Sequence, residues 1–322
     1  MTSGPDGRAE AGDGLPSDGF DSIPFPFRVV WAGTAPARDL ARALGGGFAS
    51  QAEHNLAASC VKARATLVVT RAITPSNLCS MAAPYEFTPS QTRLIVAAVA
   101  GGPHSLLAAR VAQRLSEQLG VPAYAVCGYG PASLRREAED VLAGITARIP
   151  DLEVRAIRVP RPAAIVERLP ASALVVVGAP GGNWLERRFL GPGARIHSRA
   201  PGGVIVVKEA PARVFQVMRP APAFSPDMSA SDAAFLAGNR SVIVADGERL
   251  LGVAPVQALA EAPKEAALRE LAEHPVFLMA TDLTERIAEI ASRCGSGPIP
   301  VVDASGHLVG AVEASDTSRR WM

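Results

Sequence analysis

Only four cysteines occur in the 322 residues, Cys60, Cys79, Cys127 and Cys294, and no pair has the C-x-x-C spacing. Their separation excludes a zinc ribbon, a thioredoxin-like redox pair and a disulfide scaffold, and it fits a reducing compartment. Charge of either sign is not in excess: Lys plus Arg number 32 against 31 for Asp plus Glu, a formal net charge of +1. The chain as a whole therefore carries no electrostatic footprint for nucleic acid or for an anionic membrane surface. No apolar run approaches the roughly 18 residues that a spanning helix needs. Met1 to Asp21 also lacks the apolar stretch of a secretory signal. A cytoplasmic protein, with neither membrane nor nucleic acid as partner, is the expectation. Common catalytic signatures are missing as well. Ser105 is not in a G-x-S-x-G elbow, there is no Walker lysine motif or metal-holding acidic cluster, and His54, His197, His274 and His307 lack ligand-like spacing. No catalytic residue and no metal ligand is assigned, and the chain reads as a non-enzyme.

What is present is an ordinary globular composition, 48% hydrophobic and 20% charged, enough for two or three domains. Residues 1–26, dense in Gly, Asp, Ser and Pro, cannot bury enough surface to offset their ordering entropy and are expected to form a disordered tail. In residues 27–90, Arg28 to Ala32 reads as a strand, Ala35 to Leu44 and Ser50 to Val61 as helices, and Ala65 to Thr70 as a second strand. This is an abbreviated α/β unit, a worn copy of the domain that follows, and no role is assigned to it.

Residues 91–210 show the clearest alternation. The runs at Leu94 to Val99, Val121 to Cys127, Val154 to Val159, Leu174 to Val177 and Val204 to Val207 read as five strands, the apolar ones buried on both faces. Between them, Leu107, Val111, Leu115 and Leu119 mark an amphipathic helix closed by Gly120, and Ser133 to Ile149 a second, stopped by Pro150. The expected fold class is α/β, a doubly wound parallel five-stranded sheet. From Gly178 to Gly193 a glycine-rich loop leaves the C-terminal end of a strand, where doubly wound sheets place ligands. Gly178, Gly181, Gly191 and Gly193 can let the backbone approach a phosphate, with Arg187 adding charge, or they can simply make tight turns.

Residues 94–208 resemble the universal stress protein domain, an adenine-nucleotide alpha-hydrolase-like fold. Its ATP-binding members carry a Gly, two residues, Gly, nine residues, Gly and then Ser or Thr. Gly178, Gly181 and Gly191 match that spacing, Pro192 replaces the hydroxyl residue, and Ala100 stands where the family has a nucleotide-contacting Asp. The resemblance implies ATP at this loop. It also implies a homodimer through the last strand, Val204 to Val207, with Leu190 taking part.

Residues 211–322 hold an internal repeat: Val242 to Val253 and Pro300 to Ala311 each read as strand, acidic turn, strand. The segment resembles a tandem pair of CBS domains, α+β modules that bind adenine nucleotides in the cleft between two copies. The family pattern is a Gly, two apolar residues, Thr or Ser, two residues and an Asp that receives the ribose hydroxyls. Gly310, Ala311, Val312, Glu313 and Asp316 keep the carboxylate and replace the hydroxyl, whereas the first copy, around Gly252 to Ala258, has lost both. One adenosine site at most is implied, using Asp316, Thr281 and the Pro298 to Pro300 segment; otherwise Asp316 is a solvated carboxylate capping the last turn. Together these features point to a regulatory protein of stress signalling that senses ATP or AMP and acts on an unidentified protein partner. The alternative is a scaffold without a nucleotide, used for dimerisation and protein contacts.

Overall fold

The structure, a computed structural model, describes residues 27–49, 56–71, 78–84, 86–160, 164–179, 202–238, 240–294 and 297–318. The segment 1–26 lies outside the described residues, as does most of the glycine loop: Gly181, Gly191, Gly193, Arg187, Leu190 and Pro192.

Among the described residues, the first two thirds of the chain build one nine-stranded sheet rather than the five-stranded one expected. Its strands are β1 (Val29–Trp31), β2 (Phe48–Ala49), β3 (Leu67–Thr70), β4 (Ser80–Ala82), β5 (Leu94–Ala98), β6 (Ala123–Tyr129), β7 (Glu153–Arg158), β8 (Ala173–Gly178) and β9 (Val204–Lys208). Their spatial order is β2-β1-β3-β4-β9-β8-β5-β6-β7. The five expected strands form a contiguous parallel block, and residues 27–90 add four more. Within each block the pairing is parallel; the two blocks meet where β4 runs antiparallel to β9, with Met81 opposite Val207. Reading outward from that junction, β4, β3, β1 and β2 correspond to β9, β8, β5 and β6. The first block thus repeats the topology of the second without its third strand. Its strands are two to four residues long; β1 and β3 fall within the two strands expected there, whereas β2 and β4 are too short to be read from the sequence. The edge of β9 that was expected to pair with a second molecule is filled by β4 of the same chain.

Helices α1 (Ala35–Ala43), α3 (Pro103–Leu119) and α4 (Arg135–Thr146) cover one face of the sheet; α2 (Leu56–Ala63) and α5 (Ala164–Glu167) lie on the other. The period-2 alternation of the strands sets this division: Val29, Leu67, Ile95 and Ile205 join the first face, and their neighbours Val30, Val68, Val96 and Val204 the second. Helix α3 starts at Pro103, where a missing N–H is harmless, and ends at Gly120 in the left-handed region, φ 64°. Cys60 and Cys79 are interior side chains whose thiols burial pushes up to about 12, so they remain protonated packing groups at neutral pH.

Beyond α6 (Val214–Val217) come two copies of one small unit. The first comprises β10 (Ala223–Phe224), α7 (Ala230–Ala237), β11 (Val242–Asp246), β12 (Arg249–Ala254) and α8 (Val256–Glu261). After α9 (Leu268–Leu271), the second comprises β13 (Leu278–Met279), α10 (Glu285–Cys294), β14 (Ile299–Val302), β15 (Leu308–Val312) and a 3-10 helix at Ala314–Ser318. Each has a three-stranded sheet with a parallel first pair and an antiparallel hairpin. The two hairpins differ by one residue: Val244 faces Gly252, but Val301, not Val302, faces Gly310. The second turn therefore holds one extra residue, and the Asp303 carboxylate accepts from Ser305 N–H (2.8 Å) and His307 N–H (3.0 Å) to close it.

The second unit is mounted on the sheet. Val30, Cys60, Val61, Ala65 and Val68 share one apolar core with Val214, Phe215, Val217, Ile287, Ile290, Ile299 and Val301. The described residues between 27 and 70, to which the sequence assigned no role, are the platform on which the second unit sits.

Candidate functional site

The two units exchange their leading segments. Residues before β10 bond to the end of β15, with Arg219 and Ala311 exchanging both N–H···O contacts at 2.9 Å; residues before β13 bond to β12, with Glu273 and Val253 exchanging theirs at 3.0 and 3.2 Å. Glycine is required at both crossings. A Cβ at Gly310 would lie 2.7 Å from the Arg219 carbonyl oxygen, and one at Gly252 would lie 2.4 Å from that of Glu273. The glycine that opens the Gly310 to Asp316 pattern therefore has a packing reason of its own.

Between the units, beside the first crossing, opens a cleft of about 270 Å³. One wall is apolar, with Phe224, Leu236, Val242 and Ile243 from the first unit; Pro298 and Val312 come from the second. The polar wall carries Arg219, Arg240, Glu313 and Asp316. Asp316 is not solvated: its side chain is 2% exposed. One carboxylate oxygen accepts from Glu313 N–H at 2.9 Å and the other from the Arg219 guanidinium at 3.3 Å. The capping contact and the cleft position coexist, so the two alternatives for this residue are not exclusive. Glu313, in the place of the hydroxyl residue, accepts from Arg240 at 2.6 Å. That bond and the Arg240 charge hold its carboxyl below the usual carboxylate range, with Arg219 adding to the effect.

Thr281 does not line this cleft. It is exposed in the turn between β13 and α10, and its carbonyl accepts from Arg213 at 2.9 Å. Arg219 and Arg240, which the sequence reading missed, meet their carboxylate partners 97 and 73 residues away, a distance over which no local pattern links them.

Solved structures similar to this chain include CBS domain pairs and the cytosolic part of a magnesium channel. One is the cytosolic domain of the Mg²⁺ channel MgtE in complex with ATP, 24% identical, covering 32% of this chain and 46% of that one with a TM-score of 0.30. Another is a CBS domain protein from Pyrobaculum aerophilum complexed with AMP, 20% identical over 33% of this chain and 89% of that one, TM-score 0.30. A third is a CBS-pair protein from Arabidopsis thaliana, 21% identical over 34% of this chain and 94% of that one, TM-score 0.31. The chain thus spans a little under half of the MgtE domain. No family model and no curated protein matches it.

At the other expected site, the C-terminal ends of β5 and β8, the described residues show packing. Gly101 and Gly102 turn the chain at φ 94° and 78°, and the Ser105 hydroxyl accepts from Ala100 N–H at 3.0 Å. Ser105 is thus a buried residue in the first turn of α3. A Cβ at Gly178 would fall 2.8 Å from the Cβ of His104, so that glycine admits the start of α3 against the end of β8. His104 in turn accepts at Nδ1 from Glu209 N–H, 3.2 Å away. Among the described residues no group of three or more His, Cys, Asp or Glu could hold a metal ion, and no helix is long and apolar enough to cross a membrane.

Proposed function

We propose that this chain is a non-catalytic regulatory protein whose CBS-like cleft takes an adenine nucleotide and transmits its occupancy to the sheet. The observation that carries the reading is Asp316. It is a buried carboxylate in the 3-10 helix that follows β15, on the lining of a cleft whose apolar side chains, Phe224 and Ile243 among them, suit a base. The glycine loop after β8 is the lesser candidate, because Ala100 lacks the carboxylate, and Pro192 the hydroxyl and backbone N–H, that the resemblance calls for. The resemblance of residues 94–208 to the universal stress protein domain supports a role in stress signalling.

A second reading is a scaffold that binds no nucleotide. It is favoured by the two guanidinium groups that already neutralise both carboxylates of the cleft.

Calorimetric titration of the full chain with AMP, ADP and ATP tests the choice, repeated on Asp316→Asn and Gly181→Val. Micromolar binding, about −8 kcal/mol, that Asp316→Asn weakens and Gly181→Val leaves alone is the expected result. No binding up to millimolar concentration, about −4 kcal/mol or weaker, would leave the scaffold reading standing.

A further inference from the structure

We infer that the cleft selects the low-charge end of the adenylate series, taking adenosine and AMP in preference to ADP and ATP. This rests on the cleft being an adenine-nucleotide site and names which members of that class it accepts.

Charge sets this preference. Among the described residues, the charged side chains lining the cleft are two guanidiniums and two carboxylates, paired as Arg219 with Asp316 and Arg240 with Glu313, so their charges sum to zero. An entering phosphate must draw a guanidinium away from a carboxylate to be neutralised. At the Arg219 pair that leaves a 2% exposed Asp316 carboxylate with the Glu313 N–H as its remaining contact, and a buried carboxylate deprived of its cation is strongly disfavoured. At the Arg240 pair it leaves Glu313 ionised beside the phosphate. Arg219 and Arg240 have side chains 56% and 58% exposed, so their attraction for a phosphate is screened by solvent. A terminal phosphate carries roughly −1.5 to −2 at neutral pH. Each further phosphate adds negative charge without any further cation among the described lining residues to meet it.

Two other observations agree. The volume, about 270 Å³, is near the low end of ligand pockets, which run from about 300 to 1,000 Å³, and suits a nucleoside better than a triphosphate. Glu313 also stands where the pattern has Thr or Ser; a carboxylate there replaces a neutral hydroxyl donor with a charge of the phosphate's own sign.

The test is a calorimetric series of adenosine, AMP, ADP and ATP on the full chain at low and high salt, with Glu313→Thr and Arg240→Gln alongside. AMP should bind about tenfold tighter than ATP, and salt should narrow that gap, as screened repulsion requires. Glu313→Thr should raise ATP affinity about tenfold by removing a charge a few ångströms away, whereas Arg240→Gln should weaken ATP further. Affinity that climbs from adenosine to ATP in the unaltered chain, or an order that Glu313→Thr leaves intact, overturns the inference while sparing the nucleotide reading. Failure of all four to bind any of the proteins overturns both.

Discussion

At the scale of single residues, what decides the site is close approach and charge partnership. Gly310 shows how the two combine. The crossing of residues 218–219 over β15 brings Arg219 to Asp316, and it is possible only because position 310 has no side chain: a Cβ there would also sit 2.9 Å from the Met218 sulfur. Gly310→Ala should therefore lower stability by about 1–3 kcal/mol through overpacking and should loosen the Arg219 contact with Asp316. Urea unfolding would show the reduced midpoint. An unchanged midpoint would mean that the crossing is free to shift and that the glycine is not a packing requirement. The same residue reads in the sequence as the opening of a ligand pattern, and both statements are true of it. Glu313 was legible as a departure from that pattern. Its salt bridge was not, because Arg240 lies in the first unit and reaches it only through the fold.

At the scale of elements, the short helix α6 and its flanks connect the cleft to the sheet. Val214 and Phe215 donate their N–H groups to the carbonyls of Asp282 and Ala280, both at 2.9 Å. The Gln216 side chain donates to the Ala65 carbonyl at 3.1 Å, and the Gln216 carbonyl accepts from the Arg28 guanidinium at 3.0 Å. Three residues further on, Arg219 reaches the cleft. Phe215 is among the largest fully buried side chains, set between the platform strands and the second unit. Its replacement by Ala should cost about 3–5 kcal/mol, and amide exchange should quicken in residues 65–68 and 278–302 together, since one core holds both. Exchange that quickened on one side alone would show that the two elements move independently. Four helical residues between two apolar stretches give no periodicity from which this role could be read, and the core they complete is assembled from segments as far apart as Val30 and Val312.

At the scale of the whole molecule, the junction of β4 with β9 makes one sheet of two topologically related blocks. It fills the strand edge through which a homodimer had been expected. Met81, 0% exposed, sits at this junction opposite Val207 and beside Val69. Met81→Asp places an unpaired carboxylate there, a change of the kind that costs several kcal/mol. It should free the β9 edge, and sedimentation should then reveal self-association that the unaltered chain lacks at the same concentration. If the variant stays as monodisperse as the parent, the edge is protected by something other than β4.

By itself the sequence determined the alternation of strand and helix over residues 91–210, the repeated hairpins of the last third and the carboxylate at Asp316. Each is written in local periodicity or in a short pattern, and local sterics and burial are enough to realise it. The tertiary structure alone decided the rest. It joined the two expected strands of residues 27–90 to the larger sheet and added β2 and β4, segments too short to carry a period of their own. It turned residues 27–70 into a platform, took Thr281 out of the cleft, and brought Arg219 and Arg240 to their carboxylates. These outcomes depend on pairings between distant segments, and no local pattern of side chains encodes which distant partner a strand edge, an apolar face or a guanidinium will find.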